Sequence, residues 1–343
     1  MWAELAVTAG KLVAIAAAIL TSVAVMEWVE RRGAAFIQDR LGPNRVGPLG
    51  LFQPIVDAVK LLFKEDVTPE AANKWLYYLA PMISVFVALV TFIVIPFGAG
   101  NDITILGVPL RGLVVAPDLN VGVLYLLALS SLGVFGIVLG GWSSNNKYSL
   151  LGGLRSSAQL ISYELSMTLA VLGVLMATGS LRLTDVVAYQ GAHLWNFVPQ
   201  AIGCLVFVTA AFAETNRLPF DLPEAENELV AGYHVEYSSM KFAAFLMSEY
   251  MNMVTASALI VTLFFGGWTF PGMGAFSGWP LFLLSLASFA VKIAFFLWLF
   301  VWVRWSLPRF RYDQLMRLGW KGLLPLAVLN LVWVSTAMVM KWI

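Results

Sequence analysis

Residues 77–98, YYLAPMISVFVALVTFIVIPFG, contain no charged side chain. Coiled as a helix, a stretch of this length crosses the ~30 Å hydrocarbon core of a bilayer. The pattern recurs. Eight stretches of mainly apolar residues are read, some holding one or two charges, at about 6–28, 77–98, 120–142, 158–178, 199–213, 240–265, 281–304 and 322–342. The fifth is the shortest and stops at Glu214. The first is read as a retained helix and not a signal peptide, because Glu27 follows its apolar core and no small-residue cleavage site comes after it. Composition agrees: 60% of residues are hydrophobic, mean hydropathy is +0.81 and only 12% are charged, about half the charge of a soluble domain. The expected fold is an all-α polytopic membrane protein with about eight transmembrane helices, residues 1–343 forming a single integral membrane domain.

Basic residues set the expected orientation. Sixteen lie in segments 29–76, 143–157, 214–241 and 304–321, against only Arg111 and Arg182 in the opposite loops. The positive-inside rule puts the first group in the cytoplasm and both termini on the other side. The net charge of +1 argues against nucleic acid as a partner. A single cysteine, Cys204, excludes a disulfide within the chain and a cysteine-ligated iron–sulfur cluster. His193 and His234 fall in or near loops on opposite sides and do not pair to clamp a haem. Neither a GxGxxG turn nor a GxxxxGK[ST] loop is present. The chain reads as one without a metal or redox cofactor of its own, so that electron chemistry belongs to a neighbour.

Residues 52–63 read as an amphipathic helix lying in the membrane surface. Phe52, Ile55, Val56, Val59, Leu62 and Phe63 recur at helical spacing, with Gln53, Asp57, Lys60 and Lys64 on the other face. Pro54 suits its first turn, and the preceding RLGPNRVGPLG (40–50) is a stiff basic loop. Two readings fit: an anchor for the connection, or a lipid-facing doorway that receives an amphipathic molecule.

The acids are the other unusual feature. Residues 213–237, AETNRLPFDLPEAENELVAGYHVEY, hold Glu214, Asp221, Glu224, Glu226, Glu228 and Glu236 against one cation, Arg217. Pro219 and Pro223 make this a loop, about 214–238, before any helix, and Glu224 and Glu228 share a face if a short helix follows. Interleaved Leu218, Phe220, Leu222, Leu229 and Val230 favour a loop folded against protein at the membrane rim over a solvated one. Glu164 and Glu249 lie inside the fourth and sixth spans. A charge at such depth costs about 2.5–3.5 kcal/mol on insertion scales. Glu164, Glu214 and Glu249 are expected to share a band of the inner leaflet if their helices are neighbours. They serve either as a proton relay or as structural ion pairs, with Lys292 as a counter-ion. Gly136 and Gly140 form a GxxxG that suits close helix packing. The basic segment 304–317 is a topology determinant or a docking surface for a soluble partner.

Taken together, ERRGAAFIQDRLGPNRVGPLGLFQPIVDAVKLLFKED (30–66), SYELS (162–166), the acidic segment, SEY (248–250) and PRFRYDQLM (308–316) resemble the matching blocks of one membrane-protein family. It is the family of the NADH–quinone oxidoreductase H subunit, called NADH dehydrogenase subunit 1 in mitochondria. The resemblance runs from about residue 27 to the C-terminus. It implies the heel of the membrane arm of respiratory complex I, in the bacterial cytoplasmic membrane or an equivalent energy-transducing membrane. Its implied substrate is quinone, with flavin and iron–sulfur clusters on partner subunits. Its implied partners are the peripheral-arm iron–sulfur and quinone-site subunits, other membrane-arm subunits and lipid. By the same resemblance, Glu30, Arg31, Arg40, Asp57, Arg217 and Phe220 line or gate the quinone passage and chamber. Glu164, Glu214, Asp221, Glu224, Glu226, Glu228, Glu236 and Glu249 are the proton-linked acids. Glu27 departs from the family pattern, which has an aromatic or apolar residue there. The alternative within the same fold is the membrane anchor of an energy-converting hydrogenase or other donor-linked complex without quinone chemistry. A stand-alone cation/proton transporter predicts paired, glycine-interrupted spans, and none is clear.

Overall fold

A stripe of buried side chains recurs every three or four positions along the first helix: Val7, Lys11, Ile15, Ile19, Val23, Met26 and Glu30. That spacing is one face of an α-helix, and it sets which side of α1 (Trp2–Ile37) turns inward. The structure, a computed structural model, describes residues 2–99, 103–105, 107–116, 119–222 and 230–342. Glu224, Glu226 and Glu228 lie outside these residues.

After α1 come α2 (Gln53–Phe63), α3 (Lys74–Val90), α4 (Gly122–Ser143), α5 (Lys147–Thr178), α6 (Leu183–Ala192), α7 (Ala201–Glu214), α8 (Ser239–Phe264), α9 (Gly278–Ser306) and α10 (Tyr312–Val339), which contains a π-helical turn at Leu318–Leu323. Among the described residues, seven helices are long and apolar enough to cross a membrane. The expected fifth span is α7, whose 14 residues reach only about 21 Å. The turn before it packs inward to fill the remaining depth. There Asn196 Nδ2 donates to the Leu263 carbonyl at 2.9 Å and Gln200 Nε2 to that of Gly173 at 3.3 Å. The all-α expectation is borne out; among the described residues the only strands are Thr104–Ile105 and Val108–Pro109, paired antiparallel between α3 and α4.

α5 and α8 form the centre. α5 packs against α4, α7 and α10, and α8 against α1, α3 and α9. The glycines of α4 work as expected: a Cβ on Gly136 would stand 2.3 Å from Ser84 Oγ of α3, and one on Gly140 3.2 Å from Phe245 of α8.

Three expectations need correction. Segment 143–157 is not a loop, because α5 begins at Lys147, where the Asn146 side chain accepts the Tyr148 N–H at 2.9 Å and caps it. Hydropathy registers only the oily part of that helix. Residues 183–192, expected in a connection, coil into α6. Lys292 is no counter-ion: its ammonium donates to the carbonyls of Phe265, Gly267 and Thr269 at 2.8, 3.0 and 2.7 Å and lies over the Trp195 ring.

Lys292 completes a cap on α8. The last carbonyls of that helix have no intrahelical donor. Gln190 Nε2 serves Thr262, Asn196 serves Leu263, the Phe197 N–H serves Phe264, and Lys292 serves Phe265. Lys292→Met strands the carbonyls that the ammonium serves, each at a cost of about 1–3 kcal/mol. A lowered thermal midpoint of the purified complex is the expected result, and an unchanged midpoint would show the cap to be dispensable.

Candidate functional site

Glu30 is the last member of the inward stripe of α1, and this register places its carboxylate against α8 and α9 and not in solvent. It accepts from the Arg304 guanidinium at the end of α9 and from the Tyr250 hydroxyl of α8 at 2.9 Å. Arg217, on the loop after α7, stands 3.7 Å from Glu30 and 3.5 Å from Glu249 of α8. Its guanidinium lies over the Tyr250 ring, 4.4 Å from the centroid. The Tyr233 hydroxyl donates to Glu249 at 3.2 Å. Two carboxylates and two guanidiniums thus balance one another inside the bundle. Each buried ion unpaired would cost several kcal/mol, so the cluster stands or falls as a unit.

The loop that carries Arg217 is pegged from three sides. Gln159 Nε2 of α5 donates to the carbonyls of Ala213 at 2.8 Å and Phe220 at 2.9 Å. The Phe310 N–H donates to the Pro219 carbonyl at 3.2 Å. Phe220 is buried, with its ring between those of Tyr163 and Phe310, each centroid 5.5 Å away. Asp221 pairs with Arg309 at 2.9 Å, while its Oδ1 finds no hydrogen-bond partner among the described residues. Burial pushes the Asp221 carboxyl up to about 6, against the pull of Arg309. Phe220 and Leu222 are buried and Leu218 half-buried, in line with the folded-loop reading for this part of the segment; Val230 is exposed, and Leu229 lies outside the described residues.

A cavity of about 100 Å³ borders Glu249; its wall is mostly apolar, and Glu164, Glu214, Asn216, Ser130 and Tyr233 are set in it. The three span-associated acids thus meet around one space, because α5, α7 and α8 are mutual neighbours. Glu164 accepts from Ser131 and, at 3.4 Å, from Ser130. Among the described residues no cation pairs with Glu164 or Glu214.

The other expected residues lie apart. Arg31, one position beyond Glu30, leaves the inward face and pairs with Glu27 at 2.6 Å and with Asp57 of α2. Gln53 donates to the other Asp57 oxygen at 3.0 Å. Arg40 is exposed, bonds Gln38 at 2.7 Å, and borders a separate groove of about 340 Å³ with Arg32, Trp28 and Trp298. Glu236 accepts from Asn146 at 2.6 Å, away from the cavity. Among the described residues no His, Cys, Asp and Glu gather in a metal-binding group. Arg304, Arg309, Tyr250 and Gln159 were not foreseen as site residues. Tyr250 stands beside Glu249 in SEY, and Arg309 opens the RFR of the basic segment. Only their partners, distant in the chain, reveal what they do.

These features define a polytopic all-α membrane protein with a paired charge cluster beside an acidic internal cavity. The family model described as NADH dehydrogenase matches residues 10–335. The chain is 51% identical over 335 residues to the NADH-quinone oxidoreductase H subunit of Salinibacter ruber, covering 94% of this chain and 93% of that one. It is 53% identical over 333 residues to the corresponding protein of Deinococcus deserti, covering 96% and 83%. To NADH-quinone oxidoreductase subunit 8 of Rhodothermus marinus it is 51% identical over 330 residues, covering 93% of each. The chain belongs to the NADH dehydrogenase family of NADH-quinone oxidoreductase H subunits, and the resemblance read from its motifs is borne out.

Arg309 favours the charged form of Asp221 and burial the neutral one, with half protonation near pH 6. The carboxyl is thus neutral well below pH 6 and ionised against Arg309 well above it. The protonated-carboxyl infrared band removed by Asp221→Asn should titrate near pH 6. In Arg309→Met, which deletes the opposing charge, that midpoint should move upward. A midpoint that stays or falls would contradict this balance.

Proposed function

We propose that this chain is the membrane-arm heel subunit of a proton-pumping NADH–quinone oxidoreductase. It forms the quinone entry passage and chamber wall and couples quinone reduction to proton translocation through the acidic loop and the buried carboxylates. The observation that carries this reading is Glu249. One of its faces belongs to the Arg217–Glu30–Arg304 cluster and the other to the cavity of Glu164 and Glu214. The doorway end is supported by the meeting of α1, α2 and α8. α2 also turns Phe52, Ile55, Val59, Leu62 and Phe63 outward, an apolar face suited to lipid and to a prenylated substrate.

Electrons reach the quinone from an iron–sulfur cluster on a docked peripheral subunit, with flavin further back on the same arm. A change in charge at the quinone is felt by Arg217. Unit charges at 3.5 Å interact by about 5 kcal/mol at an effective dielectric constant near 20, large against thermal energy. A guanidinium that shifts between Glu30 and Glu249 therefore changes the charge balance at the cavity wall. Asp221, Glu224, Glu226, Glu228 and Glu236 extend the same acidic loop. Sixteen basic residues in the segments 29–76, 143–157, 214–241 and 304–321, against Arg111 and Arg182 in the opposite connections, favour both termini on the non-cytoplasmic side. The relatives' names favour quinone chemistry over a donor-linked anchor without it.

Glu214→Gln in the assembled complex tests the scheme. Quinone reduction and proton pumping should both fall by about 10²-fold, the low end of what a positioned proton-transfer group contributes. Electron transfer from NADH to a soluble acceptor, which bypasses quinone, should persist. Unchanged quinone reduction and pumping would remove Glu214 from the path.

A further inference from the structure

Lys241 counts by sequence among the basic residues of a loop, yet its side chain is buried at the start of α8. Its ammonium lies 2.8 Å from Asp66 and 2.8 Å from Thr68 Oγ1. It also stands 4.8 and 4.7 Å from the ring centroids of Tyr77 and Tyr78. The neighbouring serines reach the same segment. Ser238 Oγ accepts the Val67 N–H at 2.9 Å and donates to the Val67 carbonyl at 3.3 Å. Ser239 Oγ donates to the Leu61 carbonyl, inside α2, at 2.9 Å. Upstream, Tyr237 stacks on Tyr77 with centroids 4.1 Å apart, and the Tyr77 hydroxyl donates to the Glu236 carbonyl. Residues 236–241 thus hold the end of α2, the segment behind it and the start of α3. Ser239 adopts a left-handed φ of 55° to do so, a conformation that a residue with a Cβ keeps only where its surroundings enforce it.

We propose that Lys241, with Ser238 and Ser239, is a positioning group that fixes the doorway helix α2 to the closing end of the acidic loop, so that the two move as one body. The inference rests on the reading of α2 as part of the quinone passage. The other ion pairs of α2 lie away from its C-terminal end. Arg31 and Asp57 pair in the N-terminal half of α2 and leave its C-terminal end untouched. Lys60 and Asp57 are 3.8 Å apart on α2 itself and anchor nothing else. Lys241 is enclosed, charged and bonded to the segment directly behind α2, so its loss loosens the C-terminal end of α2, which the serine bonds alone then hold.

The test uses the assembled oxidoreductase in membranes, with a spin label on Phe63→Cys in a Cys204→Ala background. Lys241→Met and Asp66→Asn should each raise label mobility. Each should also raise the KM for a short-chain quinone about threefold, as expected if α2 is docked about one third of the time. The kcat and NADH-to-soluble-acceptor transfer should be unchanged, and Lys241→Arg should restore the low KM. If Lys241→Met does not assemble, Asp66→Asn, at a half-exposed side chain, carries the test alone. Label mobility unchanged on loss of the ion pair overturns the proposal. Raised mobility with an unchanged KM supports the strap and overturns the quinone-passage reading of α2.

Discussion

The mutual neutralisation of Glu30, Arg217, Glu249 and Arg304 is the constraint on which the rest of the bundle depends. Four charges drawn from α1, the acidic loop, α8 and α9 sit where lipid or apolar protein would otherwise be. Removing any one leaves a buried charge uncompensated, at a cost of about 3–5 kcal/mol. The helices that carry them therefore cannot separate or rotate independently. The Tyr250 ring and hydroxyl fill the remaining space between the same groups, packing under Arg217 and donating to Glu30.

From that knot the other features follow by proximity. The loop bearing Arg217 must lie inside the protein rim, which brings Phe220 against Tyr163 and Asp221 against Arg309. Glu249 must face inward from α8, which makes it a wall of the cavity that α5 and α7 close with Glu164 and Glu214. The contrast between the two groups is informative. The knot is balanced by cations, whereas Glu164 and Glu214 border a mostly apolar cavity, with serine hydroxyls at Glu164 and no cation at either among the described residues. A balanced cluster holds position, and an unbalanced pair responds to its surroundings.

Much of the fold was legible because a bilayer imposes it. Oily stretches of spanning length must be helices, and the period of α2 marked its two faces. What hydropathy missed was polar helix. The first turns of α5 carry Lys147 and Arg155, and α6 holds no apolar run of its own. In the site, the acids were conspicuous because each is costly in an apolar chain. Their partners were not, since Glu30 and Arg304 are 274 positions apart and a basic residue at a helix end reads first as a topology signal. Lys241 and Lys292 were misread for the same reason. One looked like a loop charge and the other like a counter-ion, whereas each is a fastening between segments whose adjacency only the folded chain reveals.

Against the early turns of α5, the chain that closes the acidic loop runs main chain to main chain. A Cβ on Gly152 would stand 2.7 Å from Gly232 Cα and from the Tyr233 nitrogen. Ser149 Oγ, one turn away, donates to the Tyr233 carbonyl at 2.8 Å. Such a seam leaves no room for a side chain between the two main chains. The hydroxyl contact and the Asn146–Glu236 bond at 2.6 Å clamp the loop's end onto the first turns of α5.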